Sequence, residues 1–403
     1  MILQKRRGIQ TEGARLRHPL STSGQILSKN RSKELNLSIK RKNEQEMSRI
    51  LLTIIFVLVL NSCVQQEKVL LEKPTVDKRV ELLSIVFRLA EKDEYSSKTF
   101  NLYTERINQY FENYKNHELI QLTKSIINEN GVAFDGPMWM ATHLDDSLKP
   151  IKNVKDIWEH DPRWTKENTD KFVLLLQKFY KDTKFNEFFK DNTDLYTESV
   201  KRFKPICDKV DLNWCYSFFG KERAEIFLIK IGLGISGNCY GTNVDYINGN
   251  RNVYAIMGVW AVDKEGLPEF SSTFDLPILM HEFCHPFIDN LAAKHKDLFI
   301  ESGEKIYSIV KNVMNSEAYP SWEVIFDEAL IHASTIKYMK DHDFELSEIE
   351  RWIIWLKEDF GFFWIKELID ELENYDNQRE KYPTLESYMP KLGEAYKIWT
   401  KGL

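Results

Sequence analysis

Cysteine is scarce, with five in 403 residues and neither a CxxC pair nor a Cys/His ladder. That excludes a disulfide framework and a structural zinc module, although an oxidising compartment would permit a single Cys207–Cys215 bridge. Long apolar runs are missing too. The longest, Ile50 through Leu60 broken only by Thr53, rises about 16 Å as a helix against a hydrocarbon core of about 30 Å, too short to span it. There is no internal repeat and no low-complexity tract in the body of the chain, which excludes solenoids. Positive charge is confined to the start: residues 1–49 carry +8 of a net −6, so the remainder carries −14. An acidic body of this kind excludes nucleic acid as the expected partner.

The N-terminal part reads as a different kind of polypeptide. Residues 1–46 hold 11 Lys/Arg against 4 Asp/Glu and show no helical or strand periodicity, so they are expected to be disordered or never made. Met47-Ser48-Arg49 and the apolar run after it have the layout of a signal peptide over 47–62. Initiation at Met47 would make the upstream residues a gene-start artefact. Leu60-Asn61-Ser62-Cys63 resembles the lipobox of bacterial lipoproteins, which implies acylation of Cys63, a tether over 63–74 and an exported product lipid-anchored to the cell envelope at the outer membrane. Secretory cleavage without lipidation is the other reading.

From Thr75 the pattern turns helical, with Val76, Val80, Leu83 and Phe87 three and four residues apart. Further helices are expected over 97–129, 166–181 and 184–203, forming an N-terminal lobe to about residue 220. Two β-branched and aromatic runs, Ile226–Ile231 and Asn252–Trp260, read as strands, and the Gly/Asn-rich Ser236–Asn243 between them as their connecting loop. Helices are expected again at 276–295, 300–315, 321–340, 345–358, 360–374 and 386–400. The expected fold is α+β and predominantly helical, a catalytic domain over 75–403 with a small antiparallel or mixed sheet.

The chemistry concentrates in His281-Glu282-Phe283-Cys284-His285. Histidines four apart on a helix share a face, so both imidazoles reach one tetrahedral ion. Glu282, one step round, suits a general base acting on a water that the metal activates. A third ligand is required. A metzincin would place histidine at position 291, which is leucine. Two glutamates compete: Glu304 has the spacing of one gluzincin branch but faces away from an apolar stripe, whereas Glu328 interrupts one formed by Val324, Ile325 and Ile331. Glu328 is therefore preferred. His332, one turn on, is expected either to donate to a developing oxyanion or to orient Glu328, with a core histidine bonded to a carbonyl as the bland alternative. Asp327 is read as a solvated residue or a partner to a metal-bound histidine. Asn238, Tyr240 and Asn243 are candidate substrate contacts from the loop. His143, His160, His295 and His342 read as isolated surface or packing residues, and Trp352 and Trp355 as core.

His281-Glu282-x-x-His285 with Asp327-Glu328-Ala329 resembles the gluzincin zinc peptidases, and together with the lipobox and the Trp322…Glu328 helix it looks like an uncharacterised family of bacterial lipoproteins regarded as zinc peptidases. The resemblance implies a zincin-like domain binding Zn2+ through His281, His285 and Glu328. It implies peptide-bond hydrolysis with Glu282 as base, a peptide or protein substrate that adds to a sheet edge, and membrane attachment through the N-terminal lipid. A non-catalytic envelope lipoprotein binding a glycan, peptide or protein partner is the alternative. Pro286, directly after the motif, removes the donor to the Glu282 carbonyl and is expected to kink the helix.

Overall fold

A computed structural model describes residues 70–403 except 222–224, 236 and 317–318, all within the unit Lys68–Leu403. The upstream extension, the signal peptide and Cys63 lie outside the described residues.

Two short segments, one in the expected tether and one just after it, are strands. Leu70–Leu71 (β1) and Thr75–Val76 (β2) both pair in parallel with Glu225–Ile231 (β3). β3 continues in parallel with Arg251–Met257 (β5), and Cys239–Asp245 (β4) runs antiparallel to β5. The order β1-β3-β5-β4 leaves β4 at the end of a mixed sheet. The segment expected as a loop is thus largely strand. Its period-two burial, with Tyr240, Thr242 and Val244 inside, underlies Gly and Asn residues that look like turn formers. Ala261–Val262 (β6) and Pro268–Glu269 (β7) form a separate two-stranded pair.

Nine helices among the described residues precede β3: α1 (Lys78–Leu89), α2 (Asn101–Phe111), α3 (Glu118–Asn130), α4 (Gly136–Thr142), α5 (Ile157–His160), α6 (Lys166–Asp182), α7 (Phe185–Asp191), α8 (Thr193–Cys207) and α9 (Leu212–Phe219). The expected 97–129 helix is broken because His117 caps α3, its ring accepting from the Leu119 N–H. The expected 184–203 helix is broken at Asn192. After the sheet come α10 (Asp275–Ile288), α11 (Leu291–Lys294), α12 (Lys296–Ser316), α13 (Trp322–Asp341), α14 (Leu346–Glu358), α15 (Ile365–Asp376) and α16 (Leu385–Trp399). The fold is α+β, predominantly helical, with a small mixed sheet. No described helix is long and apolar enough to cross a membrane.

The layers position the site. α1 and α4 pack together and α4 meets one face of β4, with Thr242 and Thr142 in hydroxyl contact at 3.3 Å. α10 covers the other face of β4 and β5, and α13 packs outside α10. Phe227 of β3 stands edge-on to Phe283 of α10 at 5.0 Å, and Phe287 packs on Tyr216 and Phe219 of α9. These aromatic contacts bury the Phe283/Phe287 side of α10 and fix its rotation.

Candidate metal centre

With the apolar side of α10 turned to the sheet and α9, the histidine side faces α13. The His281 and His285 rings lie 5.2 Å apart, the local consequence of four-residue spacing on one helix. α13 is capped by Ser321, whose hydroxyl accepts from the Val324 N–H, and its packing on α10 brings Glu328 to the motif. Glu328 Oε1 lies 3.1 Å from His281 Nε2 and 3.6 Å from His332 Nε2. The Tyr319 hydroxyl donates to the same oxygen at 3.1 Å. His285 turns its Nδ1 to Asp289 Oδ1 at 3.0 Å, which leaves Nε2 facing Glu282 Oε2 at 3.8 Å.

Two groups of donors therefore meet at His281: His281, Glu328 and His332, and His281, Glu282 and His285, each with donor atoms within 4.8 Å of one another. Around a tetrahedral ion with ligand bonds of about 2.0–2.1 Å, ligand atoms sit roughly 3.3 Å apart. The measured 3.1 and 3.6 Å bracket that separation. His332 Nε2 is buried and has no hydrogen-bond partner, a costly state for an imidazole that a cation or a substrate oxygen would relieve. The residues present thus offer two donor sets that share His281, and it is His332, not His285, that joins His281 and Glu328 in one of them; the expected set of His281, His285 and Glu328 is not brought together as a single group.

Burial and the facing histidines and carboxylates set the protonation of these groups. Burial opposes ionisation of Glu328, but His281, His285 and His332 hold its carboxyl well below the usual carboxylate range. Burial raises Glu282, and the two motif histidines only partly offset it. Burial also opposes protonation of His285, yet Asp289, Glu328 and Glu282 outweigh it and push that imidazole well above its ordinary value. His332 is driven down to about 3 by burial and by the neighbouring His281. A neutral His332 keeps one ring nitrogen free as an acceptor or ligand.

Of the other residues singled out from the sequence, Glu304 is exposed on α12, whereas Glu328 is buried against His281. Asp327 is half-buried and bonds two backbone groups rather than a histidine: its two oxygens accept the N–H groups of Asn290 and Ala292, each at 2.9 Å. Tyr240 is buried in β4 against Tyr95, Asn238 donates to the Glu94 carbonyl at 2.8 Å, and Asn243 donates to Asp245 at 3.1 Å. Tyr240 and Asn243 are thus strand residues, and Asn238 stays in the loop before β4 but is tied to the fold. His143 and His160 are packing residues, as expected, their rings lying 5.3 Å apart beside Trp139. Cys207 and Cys215 are free thiols, and it is Cys284 within the motif that neighbours Cys215.

Three residues of the site are not singled out by the sequence pattern. Asp289, four after His285, carries a legible helical spacing. Tyr319 lies between α12 and α13, where no periodicity points to it. Gly241 of β4 sits so close to α10 that a Cβ there would lie 2.9 Å from Glu282 Oε2 and 3.1 Å from His285 Cδ2. Only glycine lets the end strand approach the motif at this distance.

No curated protein and no solved structure matches the chain. One family profile does, over residues 73–394, and it covers the sheet from β2 onward and every residue of the site just described. On that match the chain belongs to the family described as Domain of unknown function (DUF4932).

Proposed function

We propose that this protein is a zinc-dependent, gluzincin-like metallopeptidase, anchored to the membrane through Cys63. The observation that carries the reading is the convergence of Glu328 from α13 on His281 at 3.1 Å, one helical turn from His285. Zinc bound there would supply Lewis acidity, polarising a carbonyl and acidifying water. Glu282 takes the proton from the water attacking the scissile carbonyl and delivers it to the departing amine. Its raised affinity for protons, caused by burial, suits both halves of that transfer. Asp289 holds the His285 ring through Nδ1 so that Nε2 stays directed inward. Tyr319 O–H and His332 stand beside Glu328, where they can donate to or orient around the oxyanion.

Peptide is favoured as substrate because β4 ends the sheet and runs alongside Glu282. Among the described residues, main-chain pairing on that side is at its C-terminal end, where the Lys155 N–H donates to the Asp245 carbonyl at 3.0 Å and Val154 bridges Tyr246. An extended chain adding to that edge lies across the motif.

One experiment tests the reading. Wild-type protein, Glu282→Gln, Glu328→Gln and Glu304→Gln are compared for zinc content after dialysis and for hydrolysis of a quenched peptide pool. The expected pattern is zinc without turnover in Glu282→Gln, loss of zinc in Glu328→Gln, and no change in Glu304→Gln. Hydrolysis retained by Glu282→Gln, or a folded wild type with no zinc, defeats the proposal, the latter favouring a non-catalytic binding protein.

A further inference from the structure

Two helices of the site carry the same spacing. His281 and His285 lie four apart on α10, and Glu328 and His332 lie four apart on α13, so each helix presents a pair of donors on one face. The packing of α13 on α10 sets the pairs opposite each other but does not join them evenly. Glu328 Oε1 is 3.1 Å from His281 Nε2 and 3.6 Å from His332 Nε2. The His281 and His332 rings stand 4.5 Å apart, closer than the 5.2 Å between His281 and His285. His285 is engaged elsewhere, with Nδ1 on Asp289 at 3.0 Å and Nε2 3.8 Å from Glu282. The donors that converge with Glu328 are therefore one from α10 and one more from its own helix.

Neither ordinary role accounts for His332. Its ring is walled by Phe360 and Phe362, at 6.3 and 5.3 Å, and its buried Nε2 has no hydrogen-bond partner. A histidine placed for packing would have that nitrogen bonded. A histidine placed to orient Glu328 would bond its carboxylate, yet 3.6 Å exceeds the about 2.7–3.2 Å of such a bond. The same separation suits two ligands of one ion, whose donor atoms stand roughly 3.3 Å apart at zinc bond lengths. Two imidazole nitrogens thus face one carboxylate oxygen in a buried site, an arrangement that a shared cation stabilises.

We infer that His332 is itself a ligand of the metal, so that α13 supplies two donors, Glu328 and His332, to meet His281 of α10. The inference rests on the metal-dependent part of the reading above and not on peptide hydrolysis. It takes His332 out of the oxyanion role and leaves that to the Tyr319 hydroxyl. It also separates the two histidines of α10: His281 belongs to both donor sets, and His285 only to the set with Glu282.

The test uses the full-length protein, stripped with a chelator and reloaded with zinc or with cobalt(II), whose absorption spectrum reports its ligands. His332→Ala and His332→Cys are compared with wild type and with Glu304→Gln, and the unfolding midpoint of each metal-free protein shows that it is folded. Loss of an outer partner costs about 10–100-fold in metal affinity, so loss of a ligand in His332→Ala is expected to cost about 100-fold or more in chelator competition and to alter the cobalt spectrum. Cobalt-loaded His332→Cys is expected to show a thiolate-to-cobalt charge-transfer band absent from wild type, since only a side chain on the metal produces one. Zinc affinity in His332→Ala within about 100-fold of wild type, with an unchanged cobalt spectrum, marks an outer partner and overturns the inference. So does a His332→Cys spectrum without the thiolate band. A folded wild type that binds neither metal overturns it together with the metallopeptidase reading. Otherwise the two fail separately: His332 on the metal without peptide hydrolysis by wild type sinks the hydrolase and keeps the ligand, and hydrolysis with His332 off the metal does the reverse.

Discussion

Gly241→Ala perturbs the site from the strand side without replacing a candidate ligand. The added methyl would lie 2.9 Å from Glu282 Oε2, 3.1 Å from His285 Cδ2 and 3.2 Å from the Glu282 carbonyl oxygen, where ordinary contact begins at 3.4 Å. One of these atoms is backbone, one belongs to a ring tied to Asp289 at 3.0 Å, and one to a buried carboxylate, so none yields freely. Strand or helix must retreat by a few tenths of an ångström. Overpacking of this size costs about 1–3 kcal/mol of stability. Misplacement of a reacting group by about 1 Å costs about 100-fold in rate, so a smaller shift of Glu282 is expected to lower kcat roughly 10-fold or more. The assay is hydrolysis of a peptide cleaved by wild type, read with the melting temperature and zinc content of both proteins. The expected variant is folded, zinc-loaded, a few degrees less stable and slow. Wild-type kcat in a variant of unchanged stability would refute the claim that β4 sits against the motif.

Asp289→Asn removes the anion that orients His285, and zinc affinity is expected to fall about 10–100-fold in chelator competition; unchanged affinity would remove Asp289 from the site. Asp327→Ala leaves the N–H groups of Asn290 and Ala292 without their acceptor and is expected to cost about 1–3 kcal/mol in urea unfolding, a loss that a solvated residue would not give. Away from the site, burial raises the carboxyl of Glu81 from 4.5 to about 7, against hydrogen bonds from Tyr103, Leu233 and Gly234. The folded chain holds this proton more tightly than the unfolded chain, so its contribution is complete below about pH 4.5 and is lost as pH rises to about 7, a change of about 3 kcal/mol. Glu81→Gln is expected to gain stability relative to wild type between pH 5 and pH 8 in urea unfolding, and an identical pH dependence in the two proteins would contradict a buried, protonating carboxyl.

The parts of the site legible in the sequence are those fixed within single helices. His281 and His285 share a face by spacing alone. Glu328 could be separated from Glu304 because a carboxylate interrupting an apolar stripe must point inward, and the structure has Glu328 buried and Glu304 exposed. Features that depend on pairing between segments were hidden. β4 is a strand because it registers with β5 from Cys239↔Met257 to Asp245↔Arg251, although Gly241 and Asn243 are poor strand formers in isolation. Tyr319 gains its role only from the approach of α13.

Pro286 shows how such pairing replaces a local expectation. It removes the N–H that would bond the Glu282 carbonyl, yet α10 continues to Ile288. The freed carbonyl lies against Gly241 of β4, and Lys221 Nζ donates to the carbonyls of Pro286 and Phe287 at 3.1 and 2.8 Å, so the end of the helix is stabilised from outside. Beyond it Asp289 turns extended and Asn290 adopts φ 69°, a conformation that Asn tolerates. Asp327 then ties down Asn290 and Ala292. Its neighbour Glu328 faces His281, so consecutive residues of α13 control both halves of the centre: one approaches the first histidine, and the other fixes the turn from which Asp289 reaches the second. A displacement of α13 must therefore disturb His281 and His285 together. The precision of the centre rests on the packing of two helices rather than on a loop.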